Sequence, residues 1–402
     1  MRNEFMRSIV DLTKAGFVTP PPQTGIPFFQ QKTPSSKAAE CFKSGAKWNL
    51  VLDKKIGEGS YGEVFLAVLV ILKKDNAEEN EFFPCVAKCD KTQGRVLEKT
   101  PEFQIQERLM REARSSAHSG IAKPIASVKQ DGVLYELYAP GICALEDCKQ
   151  AIAALYLDDT NRLLHQYLIL DFFDFMLRAL QQCGKNGIVH ADIKPQNIVY
   201  RYCDSMVATE IKTSGFVLID FGCARTHGVF LNEIVGTPIY MAPEVIEKCS
   251  YYSAADIMAF GLILEELMGK ILFTAGDNVY DCILKKKVDY VNRQSTPSKK
   301  TAQEEEQPHD FYGCLKSIVL RMTETLETDR PSLSELESAY KKLRNLVAST
   351  DLQKEVEQFY IAQSNRITAE KSKLIIMSSE DSLADLASDG ENEAVAFRQP
   401  LL

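Results

Sequence analysis

The chain has 402 residues, 45% of them hydrophobic and 25% charged, a composition that supports a globular protein with either two lobes around one cleft or two small domains. Its formal net charge is −8, with Lys and Arg scattered among more numerous Asp and Glu, which argues against nucleic acid as a partner. Eleven cysteines run from Cys41 to Cys314 without a C-x-x-C pair or a zinc-like Cys/His spacing, so they read as thiols in a reducing compartment.

The N-terminal MRNEFMRSIVDLTKAGF breaks its apolar residues with charge every few positions and lacks the h-region of a signal peptide. The longest apolar run, Phe65 to Leu72, is too short to span a bilayer. A cytoplasmic protein without membrane insertion is therefore expected. Residues 1–45 carry Pro20, Pro21, Pro22, Pro27 and Pro34 among polar residues and read as a flexible arm. From Trp48, the runs WNLVLDKKI, EVFLAVLVIL and FFPCVAKC predict a small, mostly antiparallel sheet. One helix is expected between Lys99 and His118, followed by strands at IAKPIASV and GVLYELYA. Helical patterns follow, with LLHQYLILDFFDFMLRAL giving the apolar face of a buried helix. A β-rich first third and a helical remainder fit two lobes better than alternating βαβ units. QSTPSKKTAQEEEQPH, ending at His309, reads as a surface loop. The main domain is expected over 46–346, and 347–402 as a further helix and an acidic, disordered tail.

The first chemical signal is IGEGSYGEV, Ile56 to Val64, a G-x-G-x-x-G-x-V pattern whose glycines let backbone amides approach phosphates. Alone it is weak. Gly62 is followed by a strand rather than a helix, which argues against a dinucleotide fold, and no G-K-[ST] follows. A strand bearing Lys88 in CVAK comes next, then IVHADIKPQN at 188–197, LIDFGCAR around Asp220, GTPIYMAPE ending at Glu244, SAADIMAFG with Asp256, and TDRPS with Arg330.

In this order the segments resemble the protein kinase family over roughly residues 48 to 346. The resemblance implies an α+β, bilobal fold: N-lobe 46–137, connecting segment 137–141 and C-lobe 142–346. It implies a serine/threonine kinase that uses ATP and Mg2+ on a protein substrate. Asp192 would act on the substrate hydroxyl, Lys194 would touch the γ-phosphate and mark the serine/threonine type, Lys88 would hold the α- and β-phosphates, and Asn197 and Asp220 would ligate magnesium. The nucleotide would lie under Ile56, Gly57, Glu58, Gly59, Ser60, Tyr61, Gly62 and Val64, with Val86 beside Val64 as its roof. Leu137 and Ala139 would offer backbone groups to adenine, and Glu136 would stand at the gatekeeper position, where a charge must be paired. Thr237 would hydrogen-bond near Asp192, and Arg330 would pair with Glu244.

Lys88 needs a glutamate from the helix that follows it. Counting back from His118 lands on Leu109, between Glu107 and Glu112. Glu112 is preferred, because three residues along a helix return close to the same face.

The sequence departs from the family in three places. Val86 stands where an alanine is usual, Ala191 replaces the arginine before the catalytic aspartate, and RYCDSMVATEIKTSG is inserted between Asn197 and the strand leading to Asp220. Loss of that arginine points to activity without activation-loop phosphorylation, with control by a regulatory partner, by localisation or by the tails. Two other readings stand beside the active kinase: a pseudokinase scaffold, although Lys88, Asp192, Asn197 and Asp220 are all retained, and a small-molecule kinase, although Glu244 and Arg330 are present. The overall texture is also similar to eukaryotic-type kinases that bacteria deliver into host cells.

Overall fold

The structure, a computed structural model, describes residues 47–59, 62–72, 81–90, 100–111, 119–202, 214–230, 234–272, 279–295, 309–347, 352 and 354–366. The N-terminal arm, most of the insert, most of the 294–309 loop and the acidic tail fall outside these residues.

The strands β1 (Lys47–Gly59), β2 (Gly62–Leu72), β3 (Glu81–Asp90), β4 (Pro124–Gln130) and β5 (Val133–Tyr138) form one antiparallel sheet in the order β1-β2-β3-β5-β4. β-branched and aromatic residues are most frequent in β2 and β5, as a pleated, half-buried surface favours. Leu50, Leu69, Ile71, Phe83, Cys85, Ala87, Val128 and Leu137 are buried together on one face. Opposed residues of an antiparallel pair share a face, so the pairings Val64↔Lys88, Lys88↔Glu136 and Val86↔Tyr138 place Val64, Val86, Lys88, Glu136 and Tyr138 on the other.

Helix α1 (Pro101–Met110) interrupts the sheet. Thr100 caps it by accepting the Phe103 N–H at 3.1 Å, and Pro101 takes the first helical position, where its missing N–H costs nothing. The chain then reaches β4 through Ala122 N–H to Leu218 O, 2.9 Å, and Leu218 N–H to Gly120 O, 2.8 Å. These backbone bonds tie the two lobes together.

The second lobe begins with β6 (Cys143–Ala144), α2 (Leu145–Tyr156) and the 24-residue α3 (Arg162–Lys185), which buries Leu168, Phe172, Phe175, Met176, Leu180 and Cys183 along one side. After β7 (Ile188–Val189) come the hairpin β8 (Ile198–Tyr202) and β9 (Ser214–Leu218), then β10 (Arg225–Thr226), β11 (Val229–Phe230), α4 (Pro243–Lys248) and β12 (Ser250–Tyr251). Helix α5 (Ser253–Leu267) is apolar nearly all round and correspondingly buried, with Phe260 meeting Phe173 edge-on at 5.0 Å. Helices α6 (Val279–Ser295), α7 (Phe311–Met322) and α8 (Leu333–Asn345) complete the lobe.

A last helix, α9 (354–366), folds back on the β8–β9 hairpin. Its Tyr360 stacks on Tyr200 with ring centroids 4.0 Å apart and meets Phe216 edge-on at 5.1 Å. Among the described residues no helix is long and apolar enough to cross a membrane.

Candidate active site

The loop between β7 and β8 owes its shape to Asp256 at the start of α5. The buried Asp256 carboxylate accepts the His190 N–H at 2.8 Å and the Ala191 N–H at 3.0 Å. Burial pushes its pKa up to about 7, opposed by those two amides. His190 is fully buried, its Nδ1 accepting the Asp192 N–H at 3.3 Å, which leaves Nε2–H to donate to Ile219 O at 3.1 Å. Burial lowers its pKa, consistent with a neutral ring in that tautomer. Ala191 takes a left-handed backbone, φ 65°, which turns the chain sharply into Asp192.

Asp192 is surrounded by donors. Thr237 Oγ1 donates to its Oδ1 at 2.7 Å, Lys194 Nζ pairs with Oδ2 at 2.8 Å, and Asn197 Nδ2 donates to Oδ2 at 3.2 Å and to the Asp192 carbonyl at 2.9 Å. Lys194 Nζ also donates to Thr237 Oγ1 at 2.8 Å. Thr237 is delivered by Gly236, whose φ is +113°. A Cβ added there would meet Ala191 O at 2.4 Å, so only glycine allows this approach.

The second cluster spans the lobes. Lys88 Nζ pairs with Glu102 Oε2 at 2.6 Å and with Asp220 Oδ1 at 2.8 Å, while Glu102 Oε1 accepts the Phe221 N–H at 3.1 Å. Asp220 has the strained left-handed φ of 62° often found where backbone aims a functional group. Burial pulls the Lys88 pKa down, but the charges of Glu102 and Asp220 outweigh it and the net shift is upward. Burial, with the like charges of Asp220 and Glu136, pushes Glu102 up to about 7 against the pull of Lys88. For Asp220 the lysine outweighs burial and holds the carboxyl below its usual value. Two carboxylates thus pair with one ammonium, and Glu136 stands opposite Lys88 on the neighbouring strand.

Lys88 therefore takes a different carboxylate from the one the sequence led us to expect. Its partner is Glu102, in the first turn of α1; Glu107 is exposed, and Glu112 lies outside the described residues. Thr100-Pro101-Glu102 carried the signal, since Thr at an N-cap and Pro at the first position mark a helix start.

The connecting segment also shifts. Leu137 is paired with Ala87 inside the sheet and is fully buried in the N-lobe core, so the strand runs to Tyr138 and the connection begins at Ala139. Gly141 then passes so close to β8 that a Cβ there would lie 2.1 Å from Val199 Cγ1.

Of the glycine loop, Gly57 pairs with Val64, and Gly59 with Gly62 at the hairpin end; Ser60 and Tyr61 lie outside the described residues. Ile56 is exposed and Glu58 pairs with Lys55 at 2.5 Å.

The sequence pattern described as "Protein kinase domain" matches residues 50–340. The chain belongs to the protein kinase family.

Among curated relatives, this kinase is 38% identical over 136 residues to "Serine/threonine-protein kinase unc-51" of Caenorhabditis elegans, a match covering 33% of the chain and 16% of the relative. It is 28% identical over 252 residues to "Serine/threonine-protein kinase TIO" of Arabidopsis thaliana, covering 60% and 16%. "Serine/threonine-protein kinase ATG1c" of the same plant matches at 28% over 183 residues, covering 44% and 23%. The matches thus span about a fifth of these relatives' lengths. The kinase domain has a β-sheet N-lobe and a helical C-lobe, as the sequence implied.

No group of three or more His, Cys, Asp or Glu is pre-formed to hold a metal among its described residues.

Proposed function

We propose that this kinase transfers the γ-phosphate of ATP to a serine or threonine hydroxyl of a protein substrate. The observation that carries this reading is the Asp192 carboxylate, held by Lys194, Thr237 and Asn197 while Lys88 is already paired with Glu102 in its own lobe and with Asp220 across the lobes.

Phosphoryl transfer asks the protein mainly for positioning and charge neutralisation. Adenine would stack between Val64 and Val86 above and the second lobe below, with the Ala139–Gly141 backbone at its edge. Lys88, oriented by Glu102, would hold the α- and β-phosphates. The glycine loop from Ile56 to Val64 would cover them. Magnesium, when bound, supplies charge neutralisation on the phosphate oxygens, and Asn197 and Asp220 would hold it; Asn197 spends its amide N–H on Asp192, which leaves its oxygen for the metal.

Asp192 would accept the proton of the substrate hydroxyl as that oxygen bonds to the γ-phosphorus. The bond from phosphorus to the β,γ-bridging oxygen breaks and ADP leaves with the electron pair. Lys194 would neutralise the migrating phosphoryl group. Its bridge between Asp192 and Thr237 supports the serine/threonine type.

The test is transfer of labelled phosphate from ATP to generic acceptor proteins with magnesium, beside Asp192→Asn and Lys88→Met. Each variant should lose at least about 10²-fold in rate. Equal transfer by the variants and the parent, or none by the parent, would overturn the reading.

A further inference from the structure

We propose that Glu136 is a positioning residue: through Thr100 it anchors the N-terminus of α1 to β5, and so holds Glu102 against Lys88 without outside help. The proposal rests on the kinase reading for its consequence in catalysis, but its geometry stands by itself.

A carboxylate in the middle of β5, 2% exposed, is costly unless its charge is met. Oε1 of Glu136 accepts both the Oγ1 hydroxyl of Thr100 and its N–H, the latter at 3.2 Å. Oε2 lies 3.1 Å from the hydroxyl of Tyr138, which also lies 2.6 Å from the side-chain amide of Gln106 on α1. One phenolic proton cannot serve two acceptors. With the Gln106 amide turned so that its NH2 faces the phenolic oxygen, Gln106 would donate to Tyr138 and Tyr138 would donate to Glu136.

The network thus grips α1 at two points. Thr100 is the cap, with its own Oγ1 already accepting the Phe103 N–H, and Gln106 lies a turn and a half further along. Glu102 lies between them, joined to Lys88 and to the Phe221 amide. Only Pro101 separates the anchored cap from Glu102, so a cap free to move would carry the Lys88 partner with it. Burial raises the pKa of both carboxyls, and the positive end of the helix beside them opposes that shift. Helix position is a common point of control in phosphoryl-transfer enzymes of this fold. Here a buried polar network from the sheet itself fixes it.

The experiment compares the full chain with Thr100→Val, Thr100→Ser, Glu136→Gln, Glu136→Met and Tyr138→Phe, reading phosphotransfer, global melting and amide exchange over 101–110. Thr100→Val and Glu136→Met should lose about 10–100-fold in kcat/KM and speed exchange in 101–110 by a similar factor, with exchange in α3 and α5 unchanged. Thr100→Ser keeps the hydroxyl and should restore both readouts. Glu136→Gln and Tyr138→Phe should fall between. A variant that melts early is replaced in the comparison by its conservative partner, so local exchange still decides. Unchanged exchange in 101–110 for both Thr100→Val and Glu136→Met would overturn the proposal, whatever happens to activity. Faster exchange confined to α1 in these variants, with a parent that transfers no phosphate, would uphold the anchor and sink the kinase reading.

Discussion

Arg330 donates all five of its N–H groups, and two of them meet the buried carboxylate of Glu244 side by side at 2.6 and 2.8 Å. The other three go to the carbonyls of Glu324, Thr325 and Ala254. Both side chains are essentially inaccessible to water. Arg330→Ala should cost about 3–5 kcal/mol in urea unfolding, because Glu244 is left charged, buried and alone. Arg330→Lys should recover only part of that, since an ammonium cannot reproduce the fork. A loss no larger than that of an exposed ion pair would mean that the carboxylate finds water or another cation.

Gly236 offers a sharper geometric test. Adding one methyl group places it against Ala191 O, and the chain must move Thr237 away from Asp192 to relieve the clash. A displacement of about 1 Å near the reacting groups can cost on the order of 10²-fold. Gly236→Ala should therefore lose kcat by that order while keeping its KM for ATP, since the phosphate and adenine contacts lie elsewhere. Steady-state kinetics with both substrates varied would check it.

From Asp220 to Glu244 the only hydroxyls are Thr226, Thr237 and Tyr240. Thr237 is committed to Asp192, and the Tyr240 hydroxyl donates to Glu266 at 2.7 Å. Thr226 is exposed, and with Ala191 in place of an arginine the loop has lost its usual phosphate acceptor. Phosphatase-treated enzyme and Thr226→Ala should both keep the parental rate. A large loss that returns on rephosphorylation would show that another cation, such as Arg225, has taken over the role.

Lys286 on α6 donates to three carbonyls of the segment after Thr237, those of Pro238, Ile239 and Met241, at 3.2, 2.5 and 2.9 Å. This segment would face the residue that follows the acceptor hydroxyl. Lys286→Met should raise the KM for a protein substrate about 5–20-fold, as expected from losing hydrogen bonds to a charged donor, and leave the KM for ATP unchanged. Equal shifts in both constants would make the lysine a general stabiliser of the lobe instead.

The sequence singles out Lys88, Asp192, Lys194, Asn197 and Asp220 from short segments, and the structure brings Lys88 to Asp220 and both Lys194 and Asn197 to Asp192. Glu102 is not singled out, because choosing it needs the start of α1 rather than its periodicity, and a count from the far end at His118 passes it by. Leu137 escapes for a different reason. Strand faces alternate, so an error of one residue in register moves a side chain from the cleft to the core, and only the pairing with Ala87 and Tyr138's place opposite Val86 decide it. The partners of Glu136 cannot be read from sequence at all, since Thr100 lies 36 positions away and only the packing of α1 against the sheet brings the two together.

Tyr360 lies beyond the last residue of the family match, yet it roofs the β8–β9 hairpin, and Ser364 in the same helix donates to Ile142 O at 2.8 Å beside the segment that joins the lobes. The aromatic side of Tyr200 and Phe216 therefore stays open during synthesis until about 160 further residues have been made, many seconds at ribosomal speed. A chain stopped at residue 340 would leave the side of those rings that Tyr360 covers without its partner. The smallest piece of this kinase that closes its own core is longer than the stretch by which its ancestry is recognised.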